Sequence, residues 1–242
     1  MTPDLVLPAQ VDNSTWHQFT TWFTTKSSWL GGTNGTAGVL HLFVQHLWIS
    51  ALSLAITCAI GIPLAALLSR WRRGGLIVTT VANGARSVPI IGVMLLLAIG
   101  PIGIGTEPAV IALVIFALPP ILTNTYTGIC EVDAETTRAA IGMGMTRLQV
   151  MRSVELPLAI PLVATGIRLA AVQIWATATI AAIVGSGGLG QLITVGYATQ
   201  YYGEVYGGVL VIALSAIALD TVLKRAQTAV RLRFGASQSS LS

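Results

Sequence analysis

Charged side chains are scarce in this sequence, with 13 Lys and Arg and 9 Asp and Glu among 242 residues. They make up 9% of the chain, whereas an ordinary soluble domain has about 25%. Hydrophobic residues account for 54%, and the mean hydropathy is +0.77. This composition excludes a water-exposed globular protein. Apolar runs of about 20 residues, the length that crosses a bilayer as a helix, recur along the chain and predict an all-α integral membrane protein.

Several signatures of catalysis and ligand chemistry are also missing. Cys58 and Cys130 lie in separate apolar stretches, which offers neither a disulfide framework nor the spacing of metal ligands. The phosphate-binding pattern G-x-x-x-x-G-K-[ST] does not occur. GSGGLG at 185–190 fits G-x-G-x-x-G but follows an apolar span, whereas a dinucleotide fold requires a preceding strand. We therefore predict no catalytic residue, no metal site and no cofactor in this chain.

The net charge of +4 comes from basic residues scattered at the ends of apolar runs, without a dense patch, so no nucleic-acid partner is predicted. The apolar runs predict about five transmembrane helices. They are 39–69, 76–100, 107–130, 155–184 and 204–223. The second run contains Arg86 and Pro89 and could instead be two short helices that meet at a break.

The distribution of basic residues decides between these alternatives. Five crossings would place the loops on alternating sides, with ten Lys and Arg on one side and only Lys26 on the other. The basic side holds 70–75, 131–154 and the tail from 224, and the other side holds 1–38, 101–106 and 185–203. Positive loops face the cytoplasm. We therefore predict five crossings, with the N-terminus outside and the C-terminus in the cytoplasm.

The two ends of the chain are predicted to lie outside the transmembrane domain 39–223. Residues 1–38 form an extracytoplasmic or interfacial segment, and 224–242 form a basic cytoplasmic tail. Aromatic residues in the first segment follow a partly helical spacing and favour a short helix at the bilayer surface. They are Trp16, Phe19, Trp22, Phe23 and Trp29.

The cytoplasmic loop 131–154 carries local signals for two short helices. Asp133 can cap a first helix that runs to about residue 141. Gly142 and Gly144 are predicted to interrupt it. Thr146, followed three residues later by Gln149, fits a capping box that starts a second helix. Pro157 then lies in the first turn of the next span, where a missing amide donor is tolerated.

This loop resembles the EAA motif of ABC importer permease subunits. The resemblance implies that residues 131–154 form coupling helices, which sit in a cleft of a cytoplasmic ATP-binding subunit that binds the ATP and Mg. The family's glutamate is replaced by Arg138, which reverses the charge at that position. The matching residues are Ala139, Ala140, Gly144, Val154, Leu156 and Pro157.

Longer segments resemble the permeases of osmoprotectant importers for glycine betaine, carnitine, choline or proline betaine. They are GIGTEPAVIALVIFALPPILTNTYTGI (103–129), ELPLAIPLVATGIRLA (155–170) and GSGGLGQLI (185–193). ARSVPII (85–91) is also similar to methionine importer permeases. The resemblance implies a MetI-like ABC permease fold in a bacterial inner membrane. The implied partners are ATP-binding subunits, a second permease subunit and an extracytoplasmic substrate-binding protein.

Two further groups of residues are candidate parts of a pathway. The glycine-rich turn comprises Gly185, Ser186, Gly187, Gly188 and Gly190. It is interpreted either as a flexible external gate or as tight helix packing. Arg86, Arg168 and Asp220 lie within or near the hydrocarbon, where an unpaired charge is costly, and they are expected to be paired or hydrated.

Pro119 and Pro120 interrupt the third span, and neighbouring groups are expected to bond the backbone atoms that they leave free.

Three hypotheses for function follow. The first is a permease subunit of a binding-protein-dependent ABC importer for osmoprotectants. The second keeps this class but replaces the cargo by methionine or another amino acid. The third, from a different class, is an autonomous ion-coupled carrier that uses Arg86, Arg168 and Asp220.

Overall fold

A computed structural model describes residues 14–32, 35–71 and 73–235, and every regular element in these ranges is helical. Two other helical turns interrupt the α-helices: a π-helical turn at Met151–Glu155 and a 3₁₀ turn at Ile180–Val184. The α-helices are α1 Thr15–Thr24, α2 Lys26–Leu30, α3 Val39–Leu68, α4 Gly74–Ser87, α5 Ile90–Ile99, α6 Thr106–Cys130, α7 Ala134–Gly142, α8 Arg147–Val150, α9 Leu156–Ala178, α10 Gly190–Ala198 and α11 Tyr202–Gly235.

Four helices in the described part of the chain are long and apolar enough to cross a bilayer. They are α3, α6, the continuous helix Arg147–Ala178 that includes α8 and α9, and α11. Three predicted crossings match helices closely: 39–69 corresponds to α3, 107–130 to α6, and 204–223 to the apolar part of the longer helix α11. For the crossing predicted at 155–184, the α-helix ends at Ala178, and the 3₁₀ turn Ile180–Val184 follows it.

The prediction of one continuous helix at 76–100 is wrong, because α4 and α5 meet at a bend of 78°. The break lies at Val88 and Pro89, both of which have extended backbones. Proline disfavours the helical conformation of the residue before it and donates no amide hydrogen bond, which explains why the helix stops here.

The two halves nevertheless connect opposite ends of the molecule. At one end, Arg70 after α3 contacts Glu155 before α9. At the other end, the Gly105 amide after α5 donates to the Val184 carbonyl beyond α9, at 3.0 Å. Since α4 begins near the first end and α5 leads to the second, the bent pair runs the length of the bundle. This geometry agrees with five crossings, of which the second is broken.

Helix α6 lies at the centre of the bundle and packs against α3 and α9. In its most apolar window 56% of residues are buried, compared with 11% for α11. Pro120 leaves the carbonyl of Phe116 without its helical donor, and the Gln173 side chain of α9 donates to that oxygen at 2.8 Å. The expectation that a neighbour would supply the missing partner is therefore confirmed at this position.

The predicted surface helix near the N-terminus exists as α1, but one of its aromatic residues is not at the surface. Trp16 is exposed, whereas Trp22 is only 1% exposed and packs against Gly207 of α11. The Thr36 hydroxyl also donates to the buried carboxylate of Glu204 at 2.7 Å. The segment is therefore anchored to the bundle by burial that helical spacing alone does not indicate. Residues 1–13 lie outside the described ranges.

Two further differences concern the polar segments. A short helix, α10, occupies part of the predicted external loop 185–203. Helix α11 continues through the basic residues 224–233 instead of ending near 223. These residues are mostly good helix formers, and neither Gly nor Pro interrupts them before Gly235. The remaining tail, 236–242, lies outside the described ranges.

Candidate functional site: the coupling segment and the glycine loop

The coupling segment, residues 133–157, begins with a capped helix. The carboxylate of Asp133 accepts hydrogen bonds from the backbone amides of Glu135 and Thr136, each at 3.2 Å. These amides stabilise the ionised carboxylate and hold the pKa of Asp133 below its ordinary value. The predicted N-cap of α7 is therefore confirmed, and its negative charge also interacts favourably with the helix dipole.

The turn after α7 depends on one of the two glycines that the sequence suggested. Gly142 is the last residue of the helix and does not interrupt it, so the prediction for this residue is wrong. Gly144 has φ +85°, a left-handed conformation that side chains other than glycine rarely adopt. Its amide donates to Ile141, and the Met145 amide donates to Ala140, which satisfies carbonyls at the helix end.

The second helix starts with the predicted capping box. The Gln149 amide donates to the Thr146 hydroxyl at 3.4 Å, and the Thr146 amide donates to the Gln149 side chain at 2.7 Å. Pro157 occupies the first turn of α9, as predicted. However, α8 is not a separate helix, because the π-helical turn Met151–Glu155 continues its axis directly into α9.

The coupling segment exposes both charged and apolar side chains. The Arg138 side chain is 72% exposed, and its Nη2 lies 4.0 Å from Oε1 of Glu135, which is also largely exposed. Ala139 is exposed, whereas Ala140 is buried. Three large apolar side chains also face outward: Ile141, Met143 and Leu148. Val154 and Leu156 are half-buried at the base. Exposed apolar side chains beside charges are typical of a surface that binds another protein.

Sequence reasoning missed the ion pair at the base of this segment. Glu155 is buried and its carboxylate is held by the guanidinium of Arg70, 85 residues earlier in the chain. One signal was available: in a chain with so few charges, an acid at the start of an apolar span requires a partner.

The glycine loop, residues 185–190, is packed rather than open. Gln45 of α3 bridges it: the side-chain amide donates to the Ser186 carbonyl at 3.2 Å and accepts from the Gly188 amide at 3.0 Å. Gly187 has φ +83°, and a Cβ there would overlap the Gln45 side chain. The structure thus shows the tight packing that was one of the two interpretations.

Further close contacts surround the loop. A Cβ on Gly190 would overlap the Thr179 carbonyl, and one on Gly185 would lie 2.7 Å from Ile104. His46 packs edge-on against Trp175, with ring centroids 4.5 Å apart, and its Nε2 lies 3.1 Å from the Trp175 carbonyl. Gln45 and His46 were not predicted as partners of the loop, because the sequence does not show which face of α3 meets it.

The intramembrane charges that the structure describes are paired. Arg168 of α9 donates to both carboxylate oxygens of Asp220 on α11, at 2.8 and 3.0 Å. It also donates to Gln227 at 3.3 Å, and Gln227 donates to Thr165 at 2.7 Å. The expectation of pairing is confirmed for Arg168 and Asp220. Pro89 lies at the α4–α5 break, and the Arg86 side chain lies outside what the structure describes.

A cavity of about 470 Å³ adjoins this network, between α6, α9 and α11. Thr165 and Gln227 line it together with Glu131 and Arg231. It lies on the same side of the bundle as the coupling segment, because Glu131 directly precedes that segment. The cavity is therefore a polar recess next to the base of the coupling segment.

The chain is similar in sequence to known transport proteins. A profile of the family described as "Binding-protein-dependent transport system inner membrane component" matches residues 57–235. The glycine betaine/carnitine/choline transport system permease protein OpuCB of Bacillus subtilis is 34% identical over 191 residues, which cover 79% of this chain and 87% of the relative. The osmoprotectant import permease protein OsmY of Salmonella typhimurium is 38% identical over 187 residues, covering 76% and 79%.

The fold is similar to solved structures of the same class. Inward-facing structures of the MetNI methionine ABC transporter include a chain with a TM-score of 0.68 and 23% identity, over 79% of this chain and 95% of that one. At this identity the likeness shows the fold alone. Together with the family match over residues 57–235, it establishes the class. The chain belongs to the binding-protein-dependent transport system inner membrane components, the multi-pass permease subunits of ABC importers.

Proposed function

We propose that this permease imports small osmoprotectants, specifically quaternary ammonium compounds such as glycine betaine, choline, carnitine or proline betaine. The observation that supports this cargo most directly is the similarity to permeases whose names state it, at 33–38% identity over about three quarters of the chain or more.

The energy for transport comes from a separate protein. The sequence has no phosphate-binding loop, so ATP and Mg bind to cytoplasmic ATP-binding subunits, and this chain is not itself an enzyme. The exposed coupling segment, with Ile141, Met143 and Leu148 beside Arg138, is the surface that these subunits grip. An extracytoplasmic binding protein delivers the cargo, and a second permease subunit, identical or paralogous, completes the pathway.

The local geometry of the coupling segment supports its role as a lever. The Asp133 cap and the Thr146 capping box stiffen its two short helices. The second helix continues without interruption from Arg147 into the span that ends at Ala178. Movement of the ATP-binding subunits is therefore transmitted to α9 and switches access between the two faces of the membrane. This requires the ATPase dimer to bind the two states with different affinity.

Two alternatives have less support. A methionine or amino-acid cargo rests on fold similarity at 20–24% identity, which does not carry substrate identity. An autonomous ion-coupled carrier needs a titratable group free to load an ion, yet Arg168 and Asp220 are bonded to each other.

The test is co-purification from the native membrane followed by uptake into proteoliposomes. We expect an ATP-binding subunit, a permease partner and an external receptor to co-purify. Uptake of a labelled osmoprotectant should require ATP. An excess of unlabelled glycine betaine should inhibit this uptake, whereas an excess of methionine should not. Competition by methionine alone would contradict the cargo, and gradient-driven uptake by the isolated chain would contradict the class.

A further inference from the structure

A partly buried ion pair joins the base of the coupling segment to the end of α3. Glu155 is the last residue of the π-helical turn, and its side chain is 7% exposed. Arg70 lies two residues after the end of α3, and its side chain is 34% exposed. Nη1 of Arg70 donates to Oε1 of Glu155 at 3.4 Å, while Nη2 donates to Oε2. The guanidinium therefore holds both carboxylate oxygens.

This geometry resists separation of the two helices. A carboxylate removed from water is tolerated only while a partner compensates its charge, so moving Arg70 away would leave Glu155 buried and unpaired. The guanidinium fork also has a directional fit to a carboxylate, which restricts rotation as well as distance. The pair therefore stabilises one relative position of α3 and the start of α9.

Apolar packing at the same level of the bundle strengthens the connection. Ile129 of α6, Met151 of the π-helical turn and Ala159 of α9 form a buried cluster. Ala66 of α3 packs against it. The cluster brings the coupling segment, α3 and α6 together next to the ion pair.

The π-helical turn is the least regular part of the otherwise continuous helix Arg147–Ala178. The Leu156 amide donates to the Met151 carbonyl, which is the wider hydrogen-bond pattern of a π turn. Such turns are rare in proteins, and those that occur often lie at functional sites. The Arg70 contact holds the last residue of this turn to the end of α3, so that α3 is connected to the lever at this point.

We propose that Arg70 and Glu155 are positioning residues that make α3 move together with the coupling segment. ATPase movement then reaches two transmembrane helices directly instead of α9 alone. The inference rests on the proposed function, because it requires an ATP-binding subunit on the coupling segment. It assigns a role in coupling to two residues outside the exposed face that the subunit contacts.

Charge removal and charge exchange test the pair in the reconstituted complex with its ATPase and receptor. We expect Glu155→Gln and Arg70→Met to leave ATP hydrolysis intact and to lower uptake per ATP hydrolysed about tenfold. Arg73→Met removes a nearby exposed charge and is the matched control, with unchanged coupling. The exchange of Arg70→Glu with Glu155→Arg should recover part of the coupling. Unchanged coupling in the single variants, or no recovery in an assembled exchange variant, would refute the pairing role.

A distance measurement covers the case in which the charge variants do not assemble. Spin labels at two exposed positions, Leu67 on α3 and Arg152 in the π-helical turn, leave the ion pair intact. We expect the same distance without nucleotide and with ATP. A change of about one helical turn, roughly 5 Å, would show that α3 and the segment move separately and would overturn the inference.

The two proposals fail in different ways. If the unmodified complex shows no ATP-dependent uptake of any osmoprotectant, the proposed function fails, whatever the labels report. If the unmodified complex transports but the Arg70 and Glu155 variants retain normal uptake per ATP, only the coupling role of the pair fails.

Discussion

At the residue scale, the contact between Gln45 and the glycine loop shows how a single side chain can hold a turn. Both functional groups of the Gln45 amide bond the loop backbone, one at Ser186 and one at Gly188. Gly187 lies between these two bonds in a left-handed conformation. A Cβ atom at this position would overlap the Gln45 side chain. A gate at this position would have to release Gln45 before the loop could move.

This arrangement predicts the effect of Gly187→Ala. The left-handed backbone costs an alanine about 1–2 kcal/mol, and displacement of Gln45 adds the loss of about two hydrogen bonds, for a total of about 2–5 kcal/mol. Gly103→Ala is the matched control, since Gly103 also has positive φ but open space around it. Its expected loss is about 1–2 kcal/mol. The free energy of unfolding is measured for both purified variants. Equal losses of stability in the two variants would mean that the Gln45 contact does not stabilise the loop.

The second residue-scale feature is the Arg168 and Asp220 pair between α9 and α11. Its side chains are 26% and 38% exposed, so solvent weakens the interaction compared with a fully buried pair. The pair still joins the peripheral helix α11 to the core helix α9, and the hydrogen bonds of Gln227 on α11 to Arg168 and Thr165 on α9 extend this connection.

We expect Asp220→Asn to destabilise the permease by about 1–2 kcal/mol, because one ionic partner of Arg168 is lost and the hydrogen bonds to it weaken. The neighbouring, exposed Thr221→Ala is the control and should change stability little. In a double-mutant cycle with Arg168→Gln, the double variant should lose less than the sum of the single losses. Additive losses would show that the two side chains do not stabilise each other.

At the element scale, the coupling segment is rigid in one half and hinged in the other. From Arg147 the helix runs through the π-helical turn to Ala178 without a break. Between α7 and α8, only the turn around Gly144 connects the helices. A force applied to α7 therefore reaches α9 through that turn and through the contacts of α7 with α8 and the π-helical turn, whereas a force on α8 acts directly on α9.

A flexible spacer inserted after Gly142 tests this path. We expect the spans to fold and ATP hydrolysis to continue, while uptake per ATP falls about tenfold, because α7 no longer transmits movement. The same spacer after Thr199, in an exposed turn at the other end of the bundle, controls for the insertion itself. Normal uptake by the Gly142 variant would exclude transmission of movement from α7 to α9 through this turn.

At the scale of the whole molecule, the broken second crossing determines the orientation of everything after it. If α4 and α5 cross the bilayer together, Cys130 at the end of α6 lies on the same side as Arg70, in the cytoplasm. If they instead returned to the side they started from, α6 would run in the opposite direction and Cys130 would lie outside. The contacts of Gly105 with Val184 favour the first arrangement.

The native cysteine provides the measurement. Cys130 is exposed, and Cys58 is half-buried within α3 and can be removed as Cys58→Ala. We expect a membrane-impermeant thiol reagent to label Cys130 in inside-out vesicles but not in right-side-out vesicles. Detergent-opened vesicles provide the reference for full labelling. Labelling only from the outside would overturn the predicted orientation and place the coupling segment on the wrong side for an ATPase.

The membrane class, the family and most helix ends were predictable because their signals are local. Hydrophobic runs follow from side-chain transfer to lipid, and caps such as Asp133 and Thr146 depend on amides two or three residues away. Pro89 also carried a local signal for a break. The charge count predicted five crossings, but treating the second one as continuous gave that proline too little weight. The roles proposed for the coupling segment and the glycine loop stay predictions.

Only the tertiary structure decided which distant residues meet. Gln45 lies 143 residues from Gly188, and Arg70 lies 85 residues from Glu155. Trp22 was expected at the bilayer surface, but its ring packs inside the protein against Gly207 of α11, where a side chain would leave no space for it. By itself, the sequence determined what each segment prefers: lipid, water or a helix end. The partners were decided by how the helices pack, since close contact depends on the face and level at which two helices meet, and neither is encoded within a few neighbouring residues.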